Sequence, residues 1–194
     1  MSYLPAARAA LTLDEPPPYE PDEWTAFHAR SGATSADKSL VQVSIQGESE
    51  RTITLTDIRF DVGRERREPG STFSGACGDP LVGRGVTVDL EASPPAVVAS
   101  SENLEGYVES GGEPGSGTSP IVFPWTVSLT DPLLLFVVAT VPRCDCRWTA
   151  EIPWVSGSEK GVIRIDDGGQ PFHVVGTNGL AGYASSGDDW RQFR

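Results

Sequence analysis

The sequence predicts an all-β fold, an antiparallel two-sheet sandwich of immunoglobulin-like or jelly-roll-like type with an extended Pro-rich N-terminal arm. Three observations carry this. Apolar and polar residues alternate in at least five segments, the period of a half-buried strand. The chain holds 21 Gly and 16 Pro, and turn signals recur at roughly ten-residue intervals, as in sandwiches. Methionine occurs once, and strong helix formers do not dominate, which argues against a helical bundle. At 194 residues the chain is long enough for one well-buried core.

The elements follow in order. Residues 1–38 read as the arm: LPAARAAL supports one or two helical turns, and DEPPPYEPDEW is acidic and polyproline-like. Trp24 and Phe27 are placed to pin it. Pro16-Pro17-Pro18-Tyr19 matches a WW-domain ligand pattern, but four residues in a coil are a weak signal and a stiff linker is the favoured reading. Residues 39–176 hold the sandwich. Val41, Val43 and Ile45 alternate with Gln42, Ser44 and Gln46. Ile53 and Leu55 are followed by Ile58, Phe60 and Val62 in shifted phase, which predicts a bulge near Asp57. Val86, Val88 and Leu90 form the next strand, and residues 96–100 another. Ile121, Phe123, Trp125, Val127 and Leu129 share one face. LLLFVVATV is apolar on both faces and so a central strand. Cys144, Cys146, Trp148, Ala150, Ile152 and Trp154 share one parity. Asp166-Asp167-Gly168-Gly169 marks a tight turn before the strand at Phe172. Residues 177–194 are a polar tail that packs on the domain, with Trp190 and Phe193 as anchors.

Charge narrows the function classes. The formal net charge is −12, which disfavours nucleic acid as a partner. No Lys or Arg lies between Gly85 and Pro142, a stretch holding Asp89, Glu91, Glu102, Glu105, Glu109, Glu113 and Asp131. The longest apolar run is about half the length of a membrane span, so no membrane insertion by this chain is expected. The N-terminus lacks the apolar core of a secretion signal. A cytoplasmic location is therefore expected, or an extracellular one if a leader or anchor has been removed.

Few residue patterns carry chemistry. Gly112-Glu-Pro-Gly-Ser-Gly117-Thr118 has P-loop-like spacing but lacks the lysine that reaches phosphates. Ser35-Ala36-Asp37-Lys38 fits S-x-x-K, yet no Lys-Thr-Gly follows. The histidines are His28 and His173; neither has a nucleophile beside it in sequence, and His173 reads as a surface or edge residue. Asp166-Asp167 and Asp188-Asp189 read as turn residues. The cysteines leave three readings open. Cys77 forms a disulfide with Cys144 or Cys146, tying a loop to a central strand. Alternatively all three are reduced and pack as small apolar residues. As a weaker alternative, Cys77, Cys144, Cys146 and His173 hold zinc, although C-x-C on a flat strand aims two sulfurs at one ion poorly. A direct Cys144–Cys146 bridge is not expected, because i and i+2 on an extended strand lie about 6.5–7 Å apart at Cα.

FPWTVSLTDP (residues 123–132), CDCRWTAEIPW (144–154) and IDDGGQPF (165–172), with VQVSIQGES and ACGDPLVGR, resemble a group of uncharacterised bacterial proteins. Many of these carry an N-terminal transmembrane helix and an external β-rich domain. The resemblance covers roughly residues 40–175 and implies a β-rich fold but no activity, cofactor or catalytic residue. No apolar run of membrane-span length stands in residues 1–194 where the group carries that helix.

The expectation is a non-catalytic binding or interaction module, sensory or accessory in kind, with no cofactor. Its candidate site is the acidic Gly-rich loop bearing Glu102, Glu105, Glu109 and Glu113, fitted to a protein partner that is basic or cation-bridged. The competing readings are a structural subunit of a larger assembly and a hydrolase using loop carboxylates.

Overall fold

The computed structural model describes residues 1–18, 21–75, 83–99, 118–187 and 189–193. The chain opens with β1 (Ser2–Pro5), α1 (Ala6–Thr12), α2 (Pro21–Ser31) and β2 (Thr34–Ala36). Then come β3 (Lys38–Ile45), β4 (Ile53–Leu55), β5 (Arg59–Glu65), β6 (Gly70–Ser74), β7 (Gly83–Asp89) and β8 (Ala96–Ala99). The second half holds β9 (Thr118–Pro120), β10 (Trp125–Val127), β11 (Leu133–Thr140), β12 (Asp145–Ser156) and β13 (Glu159–Ile165). It closes with β14 (Phe172–Val175), β15 (Ala181–Ser186) and β16 (Asp189–Gln192).

These strands form two sheets around one main core. The larger runs β10-β4-β12-β14-β2-β1-β6-β15-β16, with β5 and β13 also paired to β12; the smaller runs β3-β11-β7-β8, with β9 on β7. Period-two alternation does the sorting. On β12 the side chains of Cys146, Trp148, Ala150 and Ile152 are buried while Arg147 and Glu151 are exposed. They meet Leu133, Leu135, Val137 and Ala139 of β11 and Val86 and Val88 of β7 across the interior. Trp148 is fully buried, its ring 4.7 Å from Phe172 and 5.8 Å from Phe60 between centroids. Each fully buried aliphatic side chain here, such as Leu135, Val137 or Ile152, contributes about 1.5–3 kcal/mol by leaving water.

Strand direction corrects the antiparallel expectation. β11 pairs parallel with β7, β7 with β9, β14 with β2, and β15 with β6. A parallel pair needs a crossover rather than a hairpin. Between β7 and β11 the chain visits the other sheet at β10 and so returns in the same direction. The shift near Asp57 appears in the register: Leu55 faces Trp154 and Arg59 faces Glu151, so three residues oppose two. Asp57 accepts the Ile58 N–H at 2.9 Å and pairs with Arg59 at 3.0 Å. The nine-residue alternation from Ile121 to Leu129 yields ladder pairing only at β10. Pro124, which has no N–H to donate, stands directly before the residues that pair.

The N-terminal segment is not an extended arm. β1 lies inside the larger sheet, antiparallel to β2 and β6. Residues from Pro21 onward, read as coil, are helical instead. Proline is favoured in the first helical turn, where its missing N–H costs nothing, and acidic residues there suit the helix dipole. Leu4, Ala9, Phe27 and Phe73 form a second core with Trp24, Tyr183 and Trp190 packed against it. Trp24, Phe27 and Trp190 thus anchor their segments as expected, whereas Phe193 is half exposed. The larger sheet draws strands from residues 1–38, 39–176 and 177–194 alike.

Candidate functional site

Several residues singled out from sequence lie outside the described residues: Tyr19, Cys77, Glu102, Glu105, Glu109 and Glu113. The remaining cysteines overturn one expectation. Cys144 and Cys146 are bonded to each other, with Cα atoms 5.6 Å apart. On a flat strand the two Cα atoms would lie too far apart, but β12 begins only at Asp145 and Cys144 sits on the corner before it. That corner is held from two sides. The Cys144 N–H donates to Glu91 Oε1 at 2.7 Å, and the Cys144 carbonyl accepts from Gly176 N at 2.8 Å. In this state neither sulfur is available to Cys77 or as a thiolate ligand in the Cys₃His arrangement. His173 is also engaged elsewhere.

His173 lies on the outer face of β14, opposite in parity to Phe172 and Val174, as its spacing requires. Its Nε2 is 2.6 Å from Asp145 Oδ1, and its Nδ1 is 3.4 Å from Thr34 Oγ1. The hydroxyl, imidazole and carboxylate stand in catalytic order, brought together by the β12–β14 and β14–β2 pairings. The 3.4 Å contact is too long for a strong hydrogen bond, and neither cavity described below includes these side chains. Nearby Tyr3 is buried and donates to the Glu68 carbonyl at 3.0 Å. Burial, with Glu68 and Asp145 adding negative charge, pushes its phenol above the ordinary value. This face ties strands together.

The other histidine, His28, has its Nε2 2.6 Å from Ser2 Oγ. Burial lowers its pKa from the ordinary 6.5, and the positive α-amino group adds to the effect. The S-x-x-K residues separate onto β2 and β3, with Asp37 between them at a positive φ of 62°. Asp37 accepts the Thr177 N–H and hydroxyl, both at 2.6 Å. A cavity of about 360 Å³ lies beside it, lined also by Thr140, Val141, Pro142 and Asn178. Asp166 accepts the Gly169 N–H at 2.8 Å, the turn role expected of it.

The arrangement with most chemical content is a cleft of about 480 Å³ lined by Arg64, Glu65, Arg66, Arg67, Glu91, Arg143 and Cys144. Arg64 at the end of β5 donates from Nε to the Leu90 carbonyl at 2.7 Å and from Nη2 to the Ala92 carbonyl at 2.5 Å. Arg67 donates from Nη1 to the carbonyls of Gly176 at 2.6 Å and Asn178 at 3.2 Å. Glu91 accepts the N–H groups of Arg143 and Cys144 and meets the Arg143 guanidinium at 3.4 Å. Two guanidinium groups are therefore fixed by neutral carbonyls that leave their charge uncancelled. Four cations face two carboxylates, a local positive excess in a chain of net charge −12. In the sequence alone, Arg64 to Gly70 is a charged loop ended by Pro and Gly. The signal was the density of arginines there in a chain otherwise rich in acids; what it lacked was any sign that Glu91, Arg143 and Cys144 come to the same place.

No family model, curated protein or solved structure matches this chain.

Proposed function

We propose that this chain is a binding or interaction module whose cleft at Arg64, Arg66, Arg67 and Arg143 recognises an anionic group. The observation that carries this reading is the anchoring of Arg64 and Arg67 on backbone carbonyls. Side chains fixed in advance lose little entropy on binding, and a guanidinium with free N–H groups pairs bidentately with carboxylate or phosphate. Arg66 is exposed at the cleft. A β scaffold that fixes a loop and a corner in place is a common support for recognition. The hydrolase reading has less to support it, since the Thr34–His173–Asp145 chain opens onto neither cavity. The Ig-like or jelly-roll-like expectation is kept only as a two-sheet sandwich with mixed strand directions.

Amide NMR titration with inorganic phosphate, citrate and an acidic peptide tests the reading. We expect saturable shifts at residues 64–67, 91 and 143–144. Arg66→Gln and Arg143→Gln should each weaken binding about tenfold, and salt should weaken it further. No saturable shifts, or affinities unchanged in both variants, would sink it.

A further inference from the structure

The Cys144–Cys146 disulfide is a poor structural staple. It joins residues two apart, so it restricts the unfolded chain very little, and the stabilisation a disulfide supplies grows with the loop it closes. Its two sulfurs sit in contrasting places. Cys146 is fully buried in the main core. Cys144 is partly exposed and lines the arginine cleft. This is the asymmetry of a reactive pair: one sulfur reachable by a substrate, the other shielded and available only to its neighbour.

The surroundings favour reaction at Cys144. A thiolate is the nucleophile in thiol–disulfide exchange and is stabilised by nearby cations. Arg64, Arg66, Arg67 and Arg143 face the site against Glu65 and Glu91; Asp145, between the two cysteines, is bonded to His173. The corner itself is held by Glu91 and Gly176 through backbone hydrogen bonds in which neither sulfur takes part.

We propose that Cys144 and Cys146 are a redox-active pair that exchanges with low-molecular-weight thiols and disulfides carrying carboxylates. The substrate class rests on the anion-binding reading; the exchange itself does not. In the reduced protein the Cys144 thiolate attacks one sulfur of R–S–S–R, and R–S⁻ leaves. The Cys146 thiol then attacks Cys144 Sγ in the mixed disulfide, and its proton passes to the departing sulfur, releasing the second R–S as R–SH. The protein dithiol is oxidised to the observed disulfide and the substrate disulfide is reduced to two thiols.

The test uses the full chain with Cys77→Ser as background, reduced with a phosphine that is then removed. Its reaction with dithiobis(nitrobenzoate), a dianionic disulfide, is compared with that of neutral hydroxyethyl disulfide. The background protein should release two thiolates per chain and regain the Cys144–Cys146 bond, with the transient adduct mapped to Cys144 by mass spectrometry. Cys146→Ala should stall after one thiolate, and Cys144→Ala should react at least about tenfold more slowly because Cys146 is shielded. Mapping the adduct without any core substitution keeps the test valid if Cys146→Ala does not fold. The proposal fails if the adduct forms first on Cys146, or if Cys144 reacts no faster than in the urea-unfolded chain. Arg66→Gln should slow the anionic disulfide about tenfold and the neutral one much less. Equal slowing of both, with exchange intact, would overturn the carboxylate-bearing substrate class and the anion-binding reading while leaving the redox pair standing.

Discussion

His28 ties the second helix to the first strand through its 2.6 Å contact with Ser2. The residue as a whole is exposed, but the bonded nitrogen meets a serine that is almost fully buried, so the charged imidazolium loses hydration there. The folded pKa consequently lies below that of the unfolded chain. As pH falls the unfolded state takes up its proton first, so the His28 contribution is complete above the unfolded value, near 6.5, and is lost through the lower folded value. The melting temperature should fall on acidification below neutrality, and His28→Gln should flatten that part of the profile. An identical pH profile in the variant would contradict this account. Asp37 shows the same economy at one position. Asp tolerates a left-handed backbone better than most residues, and here the turn also aims its carboxylate at Thr177.

The disulfide corner illustrates how elements, rather than single residues, make the cleft. β5 delivers Arg64, the segment after β7 delivers Glu91, and the approach to β12 delivers Arg143 and Cys144. The chain after β14 closes the corner from below. Gly176 donates to Cys144 and accepts from Arg67, and a Cβ there would overlap the backbone of Pro142 and Arg143. Backbone cannot rotate aside as a side chain can. Gly176→Ala should therefore cost about 1–3 kcal/mol, the usual range for overpacking, and should weaken anion binding because Arg67 and Arg143 shift with it. Chemical denaturation and the phosphate titration together check this; a variant as stable as the parent would show that the corner yields.

Over the whole molecule the charge is uneven. An excess of positive charge is gathered at the cleft, while residues 86–141 contain no Lys or Arg at all. We propose a second contact of opposite sign, a basic or cation-bridged partner for the acidic stretch carrying Glu102, Glu105, Glu109 and Glu113, which lies outside the described residues. Replacing these four by Gln together removes four negative charges from that stretch. It should lower capture of a basic peptide at low salt, measured by fluorescence anisotropy. Unchanged capture would remove the acidic loop from consideration.

Much of the strand content followed from local pattern. Side chains on a strand point alternately to two faces, so the burial of Val86, Val88, Cys146, Trp148 and Ile152 was written in their spacing. The central place of Leu133–Thr140 was written in its apolar character on both faces. Strand direction was not legible, since alternation looks the same whether a neighbour runs parallel or antiparallel. Nor was the strand at Ser2–Pro5, too short to show a period, whose place is set by partners about 30 and 70 residues away. The cleft needed the same long-range pairing to bring Arg64, Glu91 and Arg143 together. The disulfide turned on where β12 begins: spacing fixes which residues share a face, but only tertiary hydrogen bonds from Glu91 and Gly176 bend the chain at Cys144 and bring it within reach of Cys146.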